Sequence, residues 1–253
     1  MAEPVKIDLN CDLGESFGRY MLGDDAEIMK LITSANIACG FHAGDPGVMA
    51  RTVSLAKQNG VAVGAHPGYP DLQGFGRRKI DLSMNEIADT IIYQLGALDA
   101  FTRVSGLKLV HVKPHGALYN QATKDVALAN AIAHAVAAYN PDLILVGLAG
   151  SALMQAGQEV GLRIAREGFP DRAYLPDGSL MPRSQSGAVL HEPDAVADNA
   201  IRLAREGLRI EGKIIRVDTL CLHGDNPEAL RNAQAVRNLL DAEGVEIRSL
   251  ASL

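Results

Sequence analysis

The feature that most constrains the fold is an alternation that runs from one end of the chain to the other. Short apolar runs at 5–9, 35–39, 61–64, 107–112, 143–146, 162–165 and 214–222 alternate with longer amphipathic stretches. Those stretches carry a helical period near 24–33, 46–58, 84–104, 120–139, 148–159, 193–207 and 227–243. A strand followed each time by a helix returns to the same sheet in the same direction, which predicts a parallel sheet with crossover helices. Close to seven such units in 253 residues favour a closed or nearly closed α/β barrel, read as one domain over residues 1–253. A doubly wound open sheet is the alternative, because strand order is not written in the sequence.

The ends of the helices are marked locally. Asp45-Pro46 and Asn226-Pro227 each put a capping side chain before a proline at the first helical position. Ser83-Met84-Asn85-Glu86 fits a capping box. Gly60, Gly207 and Gly244 stand where left-handed C-caps are wanted. Two stretches interrupt the rhythm and predict binding loops or lids rather than plain connections. One is 67–82, with Arg77, Arg78 and Lys79, and the other is 166–191, with Asp171, Arg172, Tyr174, Asp177 and Arg183.

Composition removes whole classes of function. A net charge of −6 gives no reason to expect nucleic acid, and 4% aromatics without a tryptophan cannot build a base-stacking platform. Cys11, Cys39 and Cys221 form no CxxC pair, which predicts reduced thiols and a cytoplasmic location. No apolar run approaches membrane-spanning length, and the N-terminus shows no signal segment.

Chemistry gathers at the strand ends. In Lys6-Ile7-Asp8-Leu9-Asn10-Cys11-Asp12-Leu13-Gly14-Glu15, period-two alternation puts Asp8, Asn10 and Asp12 on one face. Three polar groups on the inward face of a buried strand are costly unless paired, ligand-bound or open to a cleft. The second strand runs into Asn36-Ile37-Ala38-Cys39-Gly40-Phe41-His42-Ala43-Gly44-Asp45, and the third into Gly64-Ala65-His66-Pro67. The fourth gives His111-Val112-Lys113-Pro114-His115-Gly116-Ala117-Leu118-Tyr119, and the last gives Cys221-Leu222-His223-Gly224-Asp225. A single histidine at a strand end is ordinarily structural, but five of seven in such places predict one shared mouth. His134 receives no role and His191 stays undecided. There is no P-loop, no nucleophile elbow, and no short fixed spacing such as HExxH, so a protein-bound metal stays open.

Together these strings, with Glu167-Gly168-Phe169-Pro170-Asp171-Arg172-Ala173-Tyr174, resemble the LamB/YcsF family of bacterial 5-oxoprolinase A subunits across essentially the whole chain. The resemblance implies a seven-stranded (β/α) barrel-like fold of the glycoside hydrolase/deacetylase type. It further implies ATP-dependent opening of 5-oxo-L-proline to L-glutamate, with ATP and its Mg2+ as cofactors and 5-oxoprolinase subunits B and C as partners. On that chemistry Asp8, Asp12, Glu15, His42, His66 and Lys113 are expected to be catalytic. The carboxylates would hold nucleotide-borne magnesium, the histidines would move protons, and Lys113 would balance phosphate charge with Arg172 or Arg183. Asn10, Asn36, Asp45, His115, Tyr119, Arg172, His223 and Asp225 are expected to bind substrate or nucleotide. Asp45 and Asp225 have helix capping as a competing role. Two rival functions stand beside this one: a metal-dependent amide or ester hydrolase working without nucleotide, and a metabolite-binding module with no turnover of its own.

Overall fold

A computed structural model describes residues 4–223 and 227–252. The described chain runs β1 (Lys6–Leu13), α1 (Asp25–Ile28), β2 (Ser34–Ala38), α2 (Pro46–Asn59), β3 (Ala62–His66), α3 (Met84–Val104), β4 (Leu109–Val112), α4 (Gly116–Ala122) and α5 (Val126–Tyr139). It continues with β5 (Ile144–Leu148), α6 (Ala152–Glu159), β6 (Arg163–Gly168), α7 (Pro193–Glu206), β7 (Leu208–Ile210), β8 (Lys213–Ile215), β9 (Thr219–Leu222), α8 (Pro227–Ala242), β10 (Glu246–Ile247) and a 3-10 turn at Leu250–Ser252. Seven parallel strands close into a barrel in the order β1-β2-β3-β4-β5-β6-β9, and β9 pairs back onto β1 with Asp8 opposite Thr219 and Asn10 opposite Cys221.

Period two decides which side chains face which layer. Ile7, Leu9, Cys11 and Leu13 of β1 point outward and join one large apolar cluster with residues such as Ile91, Leu95, Ile132 and Val236 of the surrounding helices. The alternate set points into the lumen. On the β5–β6 side the lumen is apolar, with Ile144, Val146 and Ala165 packed on Leu250 of the 3-10 turn, which plugs the floor. On the β1, β2, β4 and β9 side it is lined by polar groups such as Asp8, Asn10, Asn36, His111 and Thr219.

Local signals placed most helix starts. Asp45 accepts hydrogen bonds from Gly47 N and Val48 N, and the capping box at Ser83–Glu86 is complete. Gly60 takes the left-handed conformation, whereas Gly207 combines φ 74° with ψ −168° and so leaves the helix in an extended direction. Asn226, expected to cap α8, lies outside the described residues.

Several element boundaries differ from the sequence pattern. The run 214–222 is not one strand: 213–215 pairs antiparallel with 208–210 as a hairpin, and only Thr219–Leu222 enters the barrel. The stretch 120–139 is two helices, because Asp125 accepts from Leu128 N and starts a new one. The stretch 24–33 holds a single short turn of helix, α1.

Candidate functional site

The polar side of the lumen is a ladder of hydrogen bonds rising from floor to mouth. At the floor Asp8 accepts from Thr33 Oγ1 at 2.8 Å, from Ser34 Oγ at 2.6 Å and from Thr219 Oγ1. Burial raises its carboxyl to about 6, and these hydroxyl donors moderate the rise. One step higher, Asn10 Nδ2 donates to Thr219 Oγ1 at 2.7 Å, and Asn36 Nδ2 donates to Asn10 Oδ1 at 2.7 Å and Asp12 Oδ1 at 2.8 Å. His111 donates from Nε2 to Asn36 Oδ1 at 2.8 Å. Burial, then the neighbouring Lys113 charge, brings this imidazole down to about 3, so it stays neutral. Its ring lies over Gly64, where a Cβ would come within 2.1 Å of it. That close approach explains the glycine in β3.

Above this ladder an ion cluster forms one side of the mouth. Lys113, 2% exposed, places Nζ 2.9 Å from Asp12 Oδ1 and 2.8 Å from Glu167 Oε1, with Cys221 Sγ at 3.3 Å. Burial opposes the ammonium charge, but Asp12 first, together with Glu167, raises Lys113 well above its usual range. Asp12 is driven the other way: despite burial, His66 and Lys113 hold it well below the carboxylate range. Tyr119 donates to Glu167 Oε2 at 2.6 Å, and the Tyr119 and Phe169 rings flank the ammonium at 5.9 and 5.7 Å.

The opposite side of the mouth is a histidine cluster. His66 Nδ1 lies 2.7 Å from the Lys113 carbonyl, and His115 Nε2 lies 2.8 Å from the Phe75 carbonyl. Phe75 adopts φ 54°, a costly state for a residue with a Cβ, and in that state it presents this carbonyl and sets its ring edge-on to both His42 and His115. His66 Nε2 and His115 Nδ1 face each other at 3.0 Å. Glu15 Oε1 lies 3.3 Å from His115 Nδ1, 3.4 Å from His42 Nε2 and 3.9 Å from His66 Nε2. His42 is stacked flat on His115, centroid to centroid 3.7 Å and 1° from parallel. Burial, then His66, pushes His42 far down, and burial with His42 lowers His115 to about 3, so both rings are neutral. Burial and the Asp12 charge raise Glu15.

Between the two sides opens a cavity of about 320 Å³, walled by Asp12, Glu15, His66, Lys113, His115 and Tyr119 together with Arg77, Phe169, Arg172, Arg183 and His223. Most residues expected at a shared mouth are therefore together. Asp8 is not: it sits four residues below Asp12 on β1, about 13 Å along the strand, with both oxygens engaged at the floor. The carboxylates grouped on the sequence as a magnesium platform thus do not share one place. Asn10 and Asn36 are buried ladder rungs. Asp45 caps α2 and also accepts from Gly18 N at 2.7 Å. Arg172 reaches the cavity wall but anchors its own loop through the Ala188 and Met181 carbonyls. His223 pairs with Asp171 at 2.9 Å, and Asp225 lies outside the described residues.

The loop 67–82 is held rather than loose, with Asp71 buried and paired to Arg78, and it covers the histidine cluster. Glu167 escapes the sequence pattern because the sixth apolar run ends at Ala165. The strand continues to Gly168, so the charged residue at its end carries the same signal as the others. Thr219, Cys221 and Phe75 act through contacts far apart in sequence, which no local pattern marks.

Comparison with known proteins agrees with this architecture. Residues 7–253 match the LamB/YcsF family. The chain is 52% identical over 252 residues to the 5-oxoprolinase A subunit of Syntrophobacter fumaroxidans, covering 98% of this chain and 100% of that one. Its fold superposes on the lactam utilization protein of Thermus thermophilus with a TM-score of 0.91 at 49% identity, covering 97% of this chain and 100% of the other. The catalytic domain of a peptidoglycan N-acetylglucosamine deacetylase from Eubacterium rectale shares the fold alone, with a TM-score of 0.52 at 10% identity over 99% of this chain and 90% of that one. A closed seven-stranded barrel with its polar mouth, matched from end to end at this level of identity, makes the chain a member of the LamB/YcsF family.

Proposed function

We propose that this chain is the A subunit of an ATP-dependent 5-oxoprolinase, acting with subunits B and C to open 5-oxo-L-proline to L-glutamate. The observation that carries the proposal is the end-to-end match, at about half identity, to the Syntrophobacter fumaroxidans protein of that name. The mouth supports it chemically. A five-membered lactam is an unactivated amide, and transfer of the γ-phosphoryl group to its oxygen, with ADP leaving, makes the ring carbon electrophilic. Water then adds to that carbon, and the ring C–N bond breaks as nitrogen takes up a proton. A second water releases phosphate from the γ-glutamyl phosphate so formed. Unless nitrogen is protonated, phosphate leaves first and the lactam re-forms, so the site must hold a proton beside the ring nitrogen.

The cavity has the parts for this task. Lys113 opposes negative charge developing on oxygen, as a fixed cation in a site shielded from water. His223, on the cavity wall and paired with Asp171, is placed to carry that proton. Arg77, Arg172 and Arg183 on the wall suit a phosphate group. No phosphate-cradling motif is present in the chain, so ATP and its Mg2+ belong to the assembled complex, and the need for ATP sets that complex in the cytoplasm. Among the described residues no helix is long and apolar enough to cross a membrane.

The test mixes the three subunits and measures glutamate and ADP formed from 5-oxoproline, omitting each in turn. Turnover is expected only when this chain is present, and Lys113→Ala is expected to abolish it. Full turnover without this chain would overturn the assignment, and full turnover with Lys113→Ala would overturn the role of the lysine.

A further inference from the structure

We infer that the histidine side of the mouth is a site for one divalent transition-metal ion, held by His66 Nε2, His115 Nδ1 and Glu15 Oε1. The inference goes beyond the lactam reaction and does not rest on it.

The orientation of the rings carries the case. A carbonyl oxygen only accepts, so His66 must carry its proton on Nδ1, toward Lys113 O, and His115 must carry its proton on Nε2, toward Phe75 O. With both rings neutral, the form in which imidazole ligates a metal, the two facing nitrogens, 3.0 Å apart, are both bare lone pairs. Glu15 Oε1 adds a third acceptor 3.3 Å from one and 3.9 Å from the other, and it has no hydrogen-bond partner among the described residues. Three acceptors converging on one buried point repel each other unless a cation sits between them. Ligands bound tetrahedrally at about 2.0–2.1 Å lie about 3.3 Å apart, and the three spacings here, 3.0, 3.3 and 3.9 Å, bracket that value. Ligating histidines also tie their other nitrogen to a carbonyl or carboxylate, as both rings do here. Two imidazoles and one carboxylate suit zinc or a neighbouring first-row ion, and leave a position open toward the cavity.

His42 is excluded from the ligand set by geometry. A ligating ring holds the ion in its own plane, and two parallel rings stacked 3.7 Å apart cannot both hold one ion that way. His42 Nε2 lies 3.4 Å from Glu15 Oε1 without a hydrogen bond to it. Asp12 holds Lys113 through Oδ1, while its Oδ2 lies 3.4 Å from His66 Nε2.

The experiment titrates Co2+ and Zn2+ into tag-free full-length protein stripped with a chelator. It reads Co2+ ligand-field absorption, Zn2+ displacement and metal content per chain. One equivalent is expected, with four- or five-coordinate cobalt absorption. Glu15→Gln and His115→Gln are each expected to weaken binding by about 100-fold or more, while His42→Leu leaves the stoichiometry at one and the cobalt spectrum in place. No ion bound at saturating metal, or unchanged affinity in Glu15→Gln, would overturn the site. Loss of binding in His42→Leu would overturn the ligand set. Glu15→Gln keeps shape and lies at the cavity wall, so it stays informative if a histidine variant fails to fold. None of these readouts uses lactam turnover, so failure here and failure of the proposed reaction are separable.

Discussion

The two sides of the mouth are built from similar residues and are in opposite states. Around Lys113 the opposite charges meet: Asp12 and Glu167 bracket one ammonium, and Tyr119 completes Glu167. Around His115, ring nitrogens of His66 and His115 and a Glu15 oxygen turn toward one point, and His42 has no hydrogen-bond partner on either nitrogen among the described residues. The first side is finished by the protein itself and holds a fixed charge ready for chemistry. The second is finished only by something that comes from outside the chain. A buried polar group without a partner costs free energy, so a fold that keeps such a group in place marks where binding energy is to be gained.

The largest effect expected from this contrast is at Lys113. Lys113→Met leaves Asp12 and Glu167 buried without their common cation, so unfolding midpoints should show a loss of about 3–5 kcal/mol. A loss below about 1 kcal/mol would mean the two carboxylates simply take up protons, and the contrast between the sides would fall.

Next comes the floor, where Asp8 has its carboxyl raised from 3.8 to about 6. An acid whose folded value lies above its unfolded value keeps its proton in the folded chain across that window. The folded state then binds more protons, so stability falls as pH rises from 3.8 to about 6. The fall amounts to at most about 3 kcal/mol, and Asp8→Asn should remove it from a denaturation series across that range. An unchanged slope would show that the hydroxyl donors fully compensate burial.

Asp45→Ala should cost about 1 kcal/mol through the lost N-cap of α2, measured by urea denaturation. The smallest effect is expected on the histidine side. His42→Leu in metal-free protein replaces two unpartnered ring nitrogens with apolar atoms of similar bulk, so stability should move by less than about 1 kcal/mol. A loss as large as that of Lys113→Met would show that His42 already has its partners.

The difference between what could and could not be read from the chain follows the range of the interactions. Ser83 and Glu86 cap α3 through contacts three residues apart, and Asp45 reaches Val48 in the same way, so both were legible. The shared face of Asp8, Asn10 and Asp12 was legible too, because period two is a property of the strand alone. Strand ends were less so: an apolar run that stops at Ala165 hides Glu167, the second partner of Lys113. The hairpin at 208–215 merges with the last strand in the sequence pattern, since apolar character does not record where a chain turns back.

By itself, then, the sequence determined the alternation, the caps, the inward column on β1 and the gathering of histidines at strand ends. Each depends on neighbours within a turn or a pleat. Only the tertiary structure decided that Asp8 would be sealed at the floor while Asp12 faced the cavity, because closure of β9 onto β1 brings Thr219 across to Asp8. It alone decided that His66 and His115 would turn ring nitrogens toward each other. That geometry is set by the Lys113 and Phe75 carbonyls, which lie 47 and 40 residues away along the chain from the rings they hold.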